Sequence, residues 1–288
     1  MIDPIFLAEA AINGIMLGGI LALLALGLNL IFGVIDIVWI VYVDLVMLCM
    51  YAIYFTNQVH GWPFWLAALI SLGLGALLGV GVHVLVISPI LASPPINQLL
   101  ATGGLLFFIQ SLATFLWTTD HRSVRFSLPS FEIGGIFLPA TRLIPFGISI
   151  LAMLGLYLFL TRTFMGTAIR AVAQDRDAMA LMGADPRRVY VVTSAVGGLM
   201  AGLAGALLVF QYSVHPFFGG QFGPLTFMIC VLGGLGNMVG AFVASFVMSG
   251  IISIAGVIWS TEMGYVIAFV VFIVMMFLRP AGILARRE

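Results

Sequence analysis

Apolar residues in this chain come in long unbroken runs, not in the alternation that marks a half-buried strand. Nine runs cover roughly 8–33, 37–56, 62–88, 96–118, 143–162, 191–213, 222–235, 238–258 and 264–278. About 20 apolar residues in a helix cross a bilayer, so the pattern predicts eight or nine transmembrane helices. The seventh run is too short to cross a hydrocarbon core of ~30 Å as one straight helix. It reads as a half-helix or as part of a broken one. A transmembrane barrel would show alternating segments of ~10 residues, and the sequence has none.

Two polar stretches interrupt the runs, at about 119–142 and 163–190. The first, "DHRSVRFSLPSFEIGGIFLPATRL", sets aromatic and β-branched residues around Gly-Gly and Pro, which suits a short hairpin. The second gathers four arginines and three aspartates between Thr167 and Tyr190. Apolar residues recur in it at helical spacing: Ala168 and Val172, then Ala178, Leu181 and Met182. Gly183 suits a helix stop, and Asp185-Pro186 reads as a cap followed by a first-turn proline. The segment is therefore expected to form two short amphipathic helices joined at Gly183-Ala184. It is either a solvated loop or a surface whose apolar ridge fits a groove on a partner.

Composition narrows the class. The chain of 288 residues is 62% hydrophobic and 8% charged, whereas a soluble domain is about a quarter charged. The fold class is an all-α polytopic membrane protein, with one transmembrane domain over residues 1–288. A net charge of zero leaves no basic face for nucleic acid. Cys49 and Cys230 fall inside apolar runs and read as small core residues. The N-terminal "MIDPIFLAEAAINGIML" lacks a basic region, so it reads as a retained first span.

Every basic residue is an arginine. Arg162, Arg170, Arg176, Arg187 and Arg188 flank or occupy the second loop, and Arg279, Arg286 and Arg287 follow the last run. The positive-inside rule puts both groups in the cytoplasm. The parity of crossings then places the 119–142 loop and the N-terminus outside. Arg122, Arg125 and Arg142 in that outer loop run against the rule.

Polar residues inside apolar runs are the remaining candidates for chemistry. Asp36 reads as an N-cap of the second helix. Asp44 lies about two turns deeper and either lines a path or makes a packing hydrogen bond. Asn13, Asn29, Asn97, Thr102, Gln110 and Gln211 either bridge helices or together line a path for a zwitterionic solute. His83 reads as structural. His60, His121 and His215 have no metal-ligand spacing, so no metal site is expected. Gly233, Gly234, Gly236 and Gly240 with Asn237 suggest a tight turn. No strand precedes them, which argues against nucleotide binding. "GGILALLALGL" at 18–28 and "GGLMAGLAGAL" at 197–207 agree at six of eleven positions, a faint echo of the repeated halves found in transporters. No catalytic constellation is evident.

Several blocks together resemble one family. "GTAIRAVAQDRDAMALMGADPRRVYVVTSAVGGLMAGLAGAL" is similar to the cytoplasmic loop and following helix of LivH/LivM-type permeases, the membrane subunits of ABC importers for branched-chain amino acids and related small polar solutes. "NGIMLGGILALLALGLNLIFGV", "NQLLATGGLLFFIQSL", "EIGGIFLPATRL", "GGLGNMVGAFVAS" and "RPAGIL" resemble further blocks of that family, in order along nearly the whole chain. The resemblance implies a multi-pass permease of the bacterial cytoplasmic (inner) membrane, with a cytoplasmic C-terminus. It implies partners: two ATP-binding cassette ATPases, a second permease subunit, identical or homologous, and a periplasmic or extracellular solute-binding protein. The chain itself would bind no cofactor and catalyse nothing, with ATP and Mg held by the ATPases. Residues 163–190 would be the coupling segment, with Arg170, Asp175, Asp177, Ala178, Met182, Gly183 and Arg187 as its contacts.

One stretch departs from the family. Where relatives carry a flexible Asn-Phe-Ala-His-Gly before an acidic residue, this chain has "WIVYVD". Asp44 keeps the acid, while Trp39, Tyr42 and Val43 replace the Asn, His and Gly. The departure implies a different solute or a reshaped channel. The alternative to an importer subunit is a self-contained secondary transporter or channel, which would carry an ion site near the midplane.

Overall fold

The computed structural model describes residues 4–126, 129–133, 136–182, 185–279 and 282–283. It is helical nearly throughout, and each of the nine apolar runs holds a helix. In chain order these are α1 (Pro4–Ile35), α2 (Tyr42–Ile53), α3 (Phe64–Val82), α4 (Ser88–Ile90), α5 (Pro95–Trp117), α6 (Ala140–Arg162), α7 (Phe164–Gln174), α8 (Arg176–Leu181), α9 (Pro186–Leu208), α10 (Phe218–Gly233), α11 (Met238–Ile258) and α12 (Thr261–Leu278). π-helical turns at Tyr54–Val59 and His83–Ile87 extend α2 and α3. Seven of these segments are long and apolar enough to cross a membrane. α10, with 16 residues, is shorter, as the seventh run suggested. The expected hairpin is present as β1 (Ser130–Ile133) and β2 (Ile136–Pro139), paired antiparallel.

Helix ends follow from single side chains. Thr163 caps α7 by accepting from Gly166 N at 3.0 Å. Asp185 caps α9 by accepting from Arg187 N at 3.0 Å, with Pro186 in the first turn as expected. Asn237 accepts from Gly240 N to open α11. Asp36 does something other than cap α2. It sits just after α1 at φ +60°, and its N–H returns to Phe32 O at 2.8 Å. That is a left-handed helix stop, which aspartate tolerates better than most residues. Val41 holds the N-cap position of α2 without a side-chain bond.

Packing is centred on α1 and α9. The most apolar stretch of α1 is 83% buried and that of α9 is 67%, against 22% for α5 and 11% for α12. The two helices that share the Gly-Gly-led motif are therefore the central pair. α3 meets α9 through small residues on both sides, Ser71, Gly75 and Gly79 against Ser194, Gly198 and Gly202. With no Cβ between them the backbones touch, which is how helices gain contact in lipid. Ser71 Oγ adds a hydrogen bond to Gly202 O at 2.8 Å. α1 uses Gly14 and Gly18 to approach α11 at Ser249 and Gly250. Ser253 Oγ closes that seam by donating to Ala10 O at 2.6 Å.

Candidate functional site

The second apolar run does not form one helix. Residues 37–41 leave α1 as non-helical backbone, and Ile37, Trp39 and Val41 are all buried there. Irregular backbone at membrane depth persists only where protein or a water-filled cavity covers it. Here Thr102 of α5 supplies part of the cover, since its Oγ1 lies 3.2 Å from Val38 O and 3.0 Å from Gln98 O.

The residues that depart from the family's pattern lie in and just after this break. Tyr42 reaches between α1 and α9, where its hydroxyl donates to Gly197 O at 3.3 Å. It occupies the space that a side chain at position 27 would need, so Gly27 admits no Cβ. Tyr42 thus fills the notch that Gly27 leaves where α1 and α9 pack closely. Trp39 is 1% exposed and its indole N–H has no partner. Asp44 is equally buried, and its Oδ1 accepts from Gln110 Nε2 at 2.9 Å while Oδ2 has no partner. Its carboxylate packs on the backbone of Gly219 in the first turn of α10. Asp44 thus lies in the first turn of α2, just after the non-helical connection, and a buried, half-satisfied acid inside a membrane domain is a candidate for function.

The other proposed path residues divide. Asn29 works at one end of the bundle, where its Nδ2 donates to Asn237 O at 2.9 Å and its Oδ1 accepts from Gly236 N at 2.7 Å. It staples α1 to the turn between α10 and α11, the tight Gly turn read from the sequence, whose Gly234 and Gly236 have positive φ. Asn13 and Gln211 lie together at the opposite end of the bundle. Asn97 is exposed in the first turn of α5 and joins neither group. The set is therefore not one continuous lining.

The charged loop is more segmented than its periodicity implied. Asp175 interrupts it, accepting from Asp177 N at 3.0 Å and Ala178 N at 2.9 Å, and so starts a separate helix, α8. The expected apolar ridge splits at that point. Ile169 and Val172 of α7 are buried in this chain, whereas Leu181 and Met182 beyond the break are 90% and 82% exposed. Arg170, Asp175, Asp177, Ala178 and Arg187 are exposed as well. Gly183 lies outside the described residues. Between α7, the end of α1 and the α10–α11 turn is a cavity of about 890 Å³, lined by Asp36, Arg170, Gln174, Asp175, Arg176 and Asp177 among others.

The opposite end carries the hairpin and the outer-loop arginines. Arg122 pairs its backbone with Val214 and donates a side-chain bond to Trp117 O at 2.8 Å. His121 faces His215 with ring centres 4.5 Å apart. Burial, and then the neighbouring His121, lower the pKa of His215 below the ordinary histidine value. Among the described residues no group of three or more His, Cys, Asp or Glu could hold a metal ion.

The family model described as branched-chain amino acid transport system, permease component, matches residues 10–276. The chain belongs to this family. The permease is 26% identical over 303 residues to the high-affinity branched-chain amino acid transport system permease protein LivH of Escherichia coli (strain K12), covering 99% of this chain and 97% of that one. It is 25% identical to the corresponding protein BraD of Pseudomonas aeruginosa, over 97% and 96% of the two chains. A probable LivH of Methanocaldococcus jannaschii is 31% identical over 99 residues, or 34% of the permease and 31% of the relative. No solved structure matches it.

Proposed function

We propose that this permease is the membrane-spanning subunit of an ATP-driven importer and carries branched-chain amino acids or a related small polar solute. The curated relatives named above are permease proteins of branched-chain amino acid transport systems. The observation that carries the reading for this chain is α8. A six-residue helix, capped by its own aspartate, presents Leu181 and Met182 to solvent at the end of the bundle that holds most of the arginines. Exposed apolar side chains outside a membrane call for a protein partner. ATPase subunits seated there would push on α8 and, through α7, on α1 and α9, which frame the broken segment. ATP and Mg belong to those partners, and a binding protein delivers solute at the opposite end. Trp39 and Tyr42 reshape the path relative to the family's pattern.

The test is capture of the ATPase subunits by variants of the loop. Ala178→Trp and Met182→Glu should insert normally, lose the co-purifying ATPases and abolish uptake. Retention of both ATPases and transport by both variants would put the docking surface elsewhere. Uptake by the wild-type chain alone in ATP-depleted vesicles would favour a self-contained secondary transporter.

A further inference from the structure

Three parts of the chain meet at Arg122, at the end of the bundle that carries the hairpin. Its backbone pairs with Val214 in both directions: Arg122 N donates to Val214 O at 2.9 Å and Val214 N to Arg122 O at 2.7 Å. Its side chain donates to the carbonyl of Trp117, the last residue of α5, at 2.8 Å. The guanidinium carbon lies 5.5 Å from the ring centre of Tyr54 and 5.6 Å from that of Phe55. These are cation–π distances, and both rings belong to the π-helical turn that extends α2. One arginine therefore ties α2, α5 and the segment leading into α10.

The tie holds both elements that enclose Asp44. α10 begins at Phe218, shortly after Val214, and its Gly219 packs on the Asp44 carboxylate. α2 carries Asp44 in its first turn and reaches Arg122 through its far end.

The neighbours of this bridge can take up charge. In an antiparallel pair the residues flanking the bonded positions face each other. Here they are His121 and His215, with ring centres 4.5 Å apart. His121 Nδ1 lies 3.2 Å from Ser213 Oγ, and the ring of Phe218 lies 6.0 Å from that of His215. Asp120 and Arg122 flank His121, and Asp120 Oδ2 accepts from Thr118 Oγ1. Tyr51 of α2 faces Arg122 and Asp120, and Tyr212 faces Tyr265 and Arg142. Among the described residues neither histidine forms an ion pair. Burial first, and His121 second, hold the pKa of His215 below the ordinary histidine value. A state with the lowered value binds fewer protons than one in which the ring is free. The bridge is therefore at full strength above the ordinary value of about 6.5 and weakens as pH falls below it.

We propose that Arg122 and the His121–His215 pair form a pH-sensitive latch at the hairpin end of the permease. Near neutral pH the rings are uncharged, the backbone bridge is closed and Arg122 rests on Tyr54 and Phe55. In acid the two imidazolium rings repel each other and seek water. The bridge then opens, and the start of α10 is released from α2 and from Asp44. A permanent clip would need the arginine and the aromatic rings, but not two histidines set face to face beside them. The latch goes beyond the transport reading and does not depend on which solute is carried.

Nitroxide labels on Ser123→Cys and Phe217→Cys, both exposed positions on the two sides of the bridge, report its state by electron paramagnetic resonance. The sample is the full chain in lipid nanodiscs, where both faces meet the same buffer, and the native Cys49 and Cys230 are buried. A chelator in every sample prevents a bridging metal from imitating the effect. The labels should move apart as pH is lowered from about 7.5 to about 5. His121→Gln and His215→Gln should each remove most of that response. Arg122→Gln should show the separated state at both pH values, and Arg122→Lys, which keeps the charge without the planar fork, should be intermediate. No movement in the labelled parent, a response that survives either histidine change, or an Arg122→Gln separation equal to the parent's near neutral pH would overturn the latch. If Arg122→Gln loses its monodisperse profile, the two histidine variants decide alone. No ATPase takes part in this measurement, so its failure and failure of the importer reading are separate results.

Discussion

Asp44 is held by very little. One oxygen has Gln110, the other has no partner, and Gly219 leaves just enough room for the carboxylate against α10. Removing the partner of a buried polar group costs more than removing both together. Gln110→Leu, which strips Asp44 of its donor, should therefore lower thermal stability by the equivalent of about 1–3 kcal/mol. Asp44→Asn keeps the shape and a bond to Gln110, so it should cost less. Melting curves of the two purified variants decide, and a larger loss for Asp44→Asn would mean that Gln110 is not what holds the residue. Asp44 and Gln110 were visible in the sequence only as separate polar residues in apolar runs. Nothing in their spacing links positions 44 and 110, because the contact depends on how α2 meets α5.

Among the helices, the seam between α3 and α9 tolerates no added bulk. A Cβ at Gly198 would run into the backbone of Gly75, whereas Gly73 on the other face of α3 has nothing within 4 Å. Gly198→Ala should thus destabilise by about 1–3 kcal/mol, while Gly73→Ala should be neutral or slightly stabilising. Thermal unfolding of the pair checks this, and equal melting points would mean that the seam yields. The small residues of α9 were legible at 197–207, but the matching stripe Ser71, Gly75 and Gly79 reads as part of an ordinary apolar run. Breaks in helices were the hardest features to read. Trp39, Ile40 and Val41 are as hydrophobic as the helices beside them, and hydrophobicity does not distinguish an extended buried segment from a helical one. The π turns alter hydrogen bonding without altering composition. Asp175 could have been found, since an aspartate followed by Arg176-Asp177-Ala178 is a reasonable cap, but the apolar spacing on both sides suggested a continuous helix.

For the molecule as a whole, the order of the apolar helices was legible because lipid leaves few options for a chain this apolar, but among the described residues seven, not the expected eight or nine, are long and apolar enough to cross. The grouping of polar residues at its two ends was not, because the cavity at the hairpin end draws on separate stretches around Asn13, Arg142, Gln211, Ile252 and Tyr265. Orientation follows from charge: α7, α8 and Arg279 are expected in the cytoplasm, and the hairpin outside. Single cysteines at Ser130 and Gln174, both exposed positions, should react with an impermeant thiol reagent from opposite sides of sealed vesicles. The native Cys49 and Cys230 are buried, so background labelling should be low. Reaction from the same side would reverse part of the topology.

The seam between α1 and α11 has a consequence for how the molecule is made. The bond from Ser253 to Ala10 joins residues 243 positions apart. At about 5–20 residues per second, roughly 12 to 50 seconds pass between synthesis of the two partners. Throughout that interval the first helix stands in the bilayer with Gly14, Gly18 and the Asn13 amide facing lipid or the insertion machinery. The most buried of the long helices thus waits longest for its last cover, and a ribosome that stalls before residue 238 leaves its α11 face bare although α6, α9 and α10 are already made.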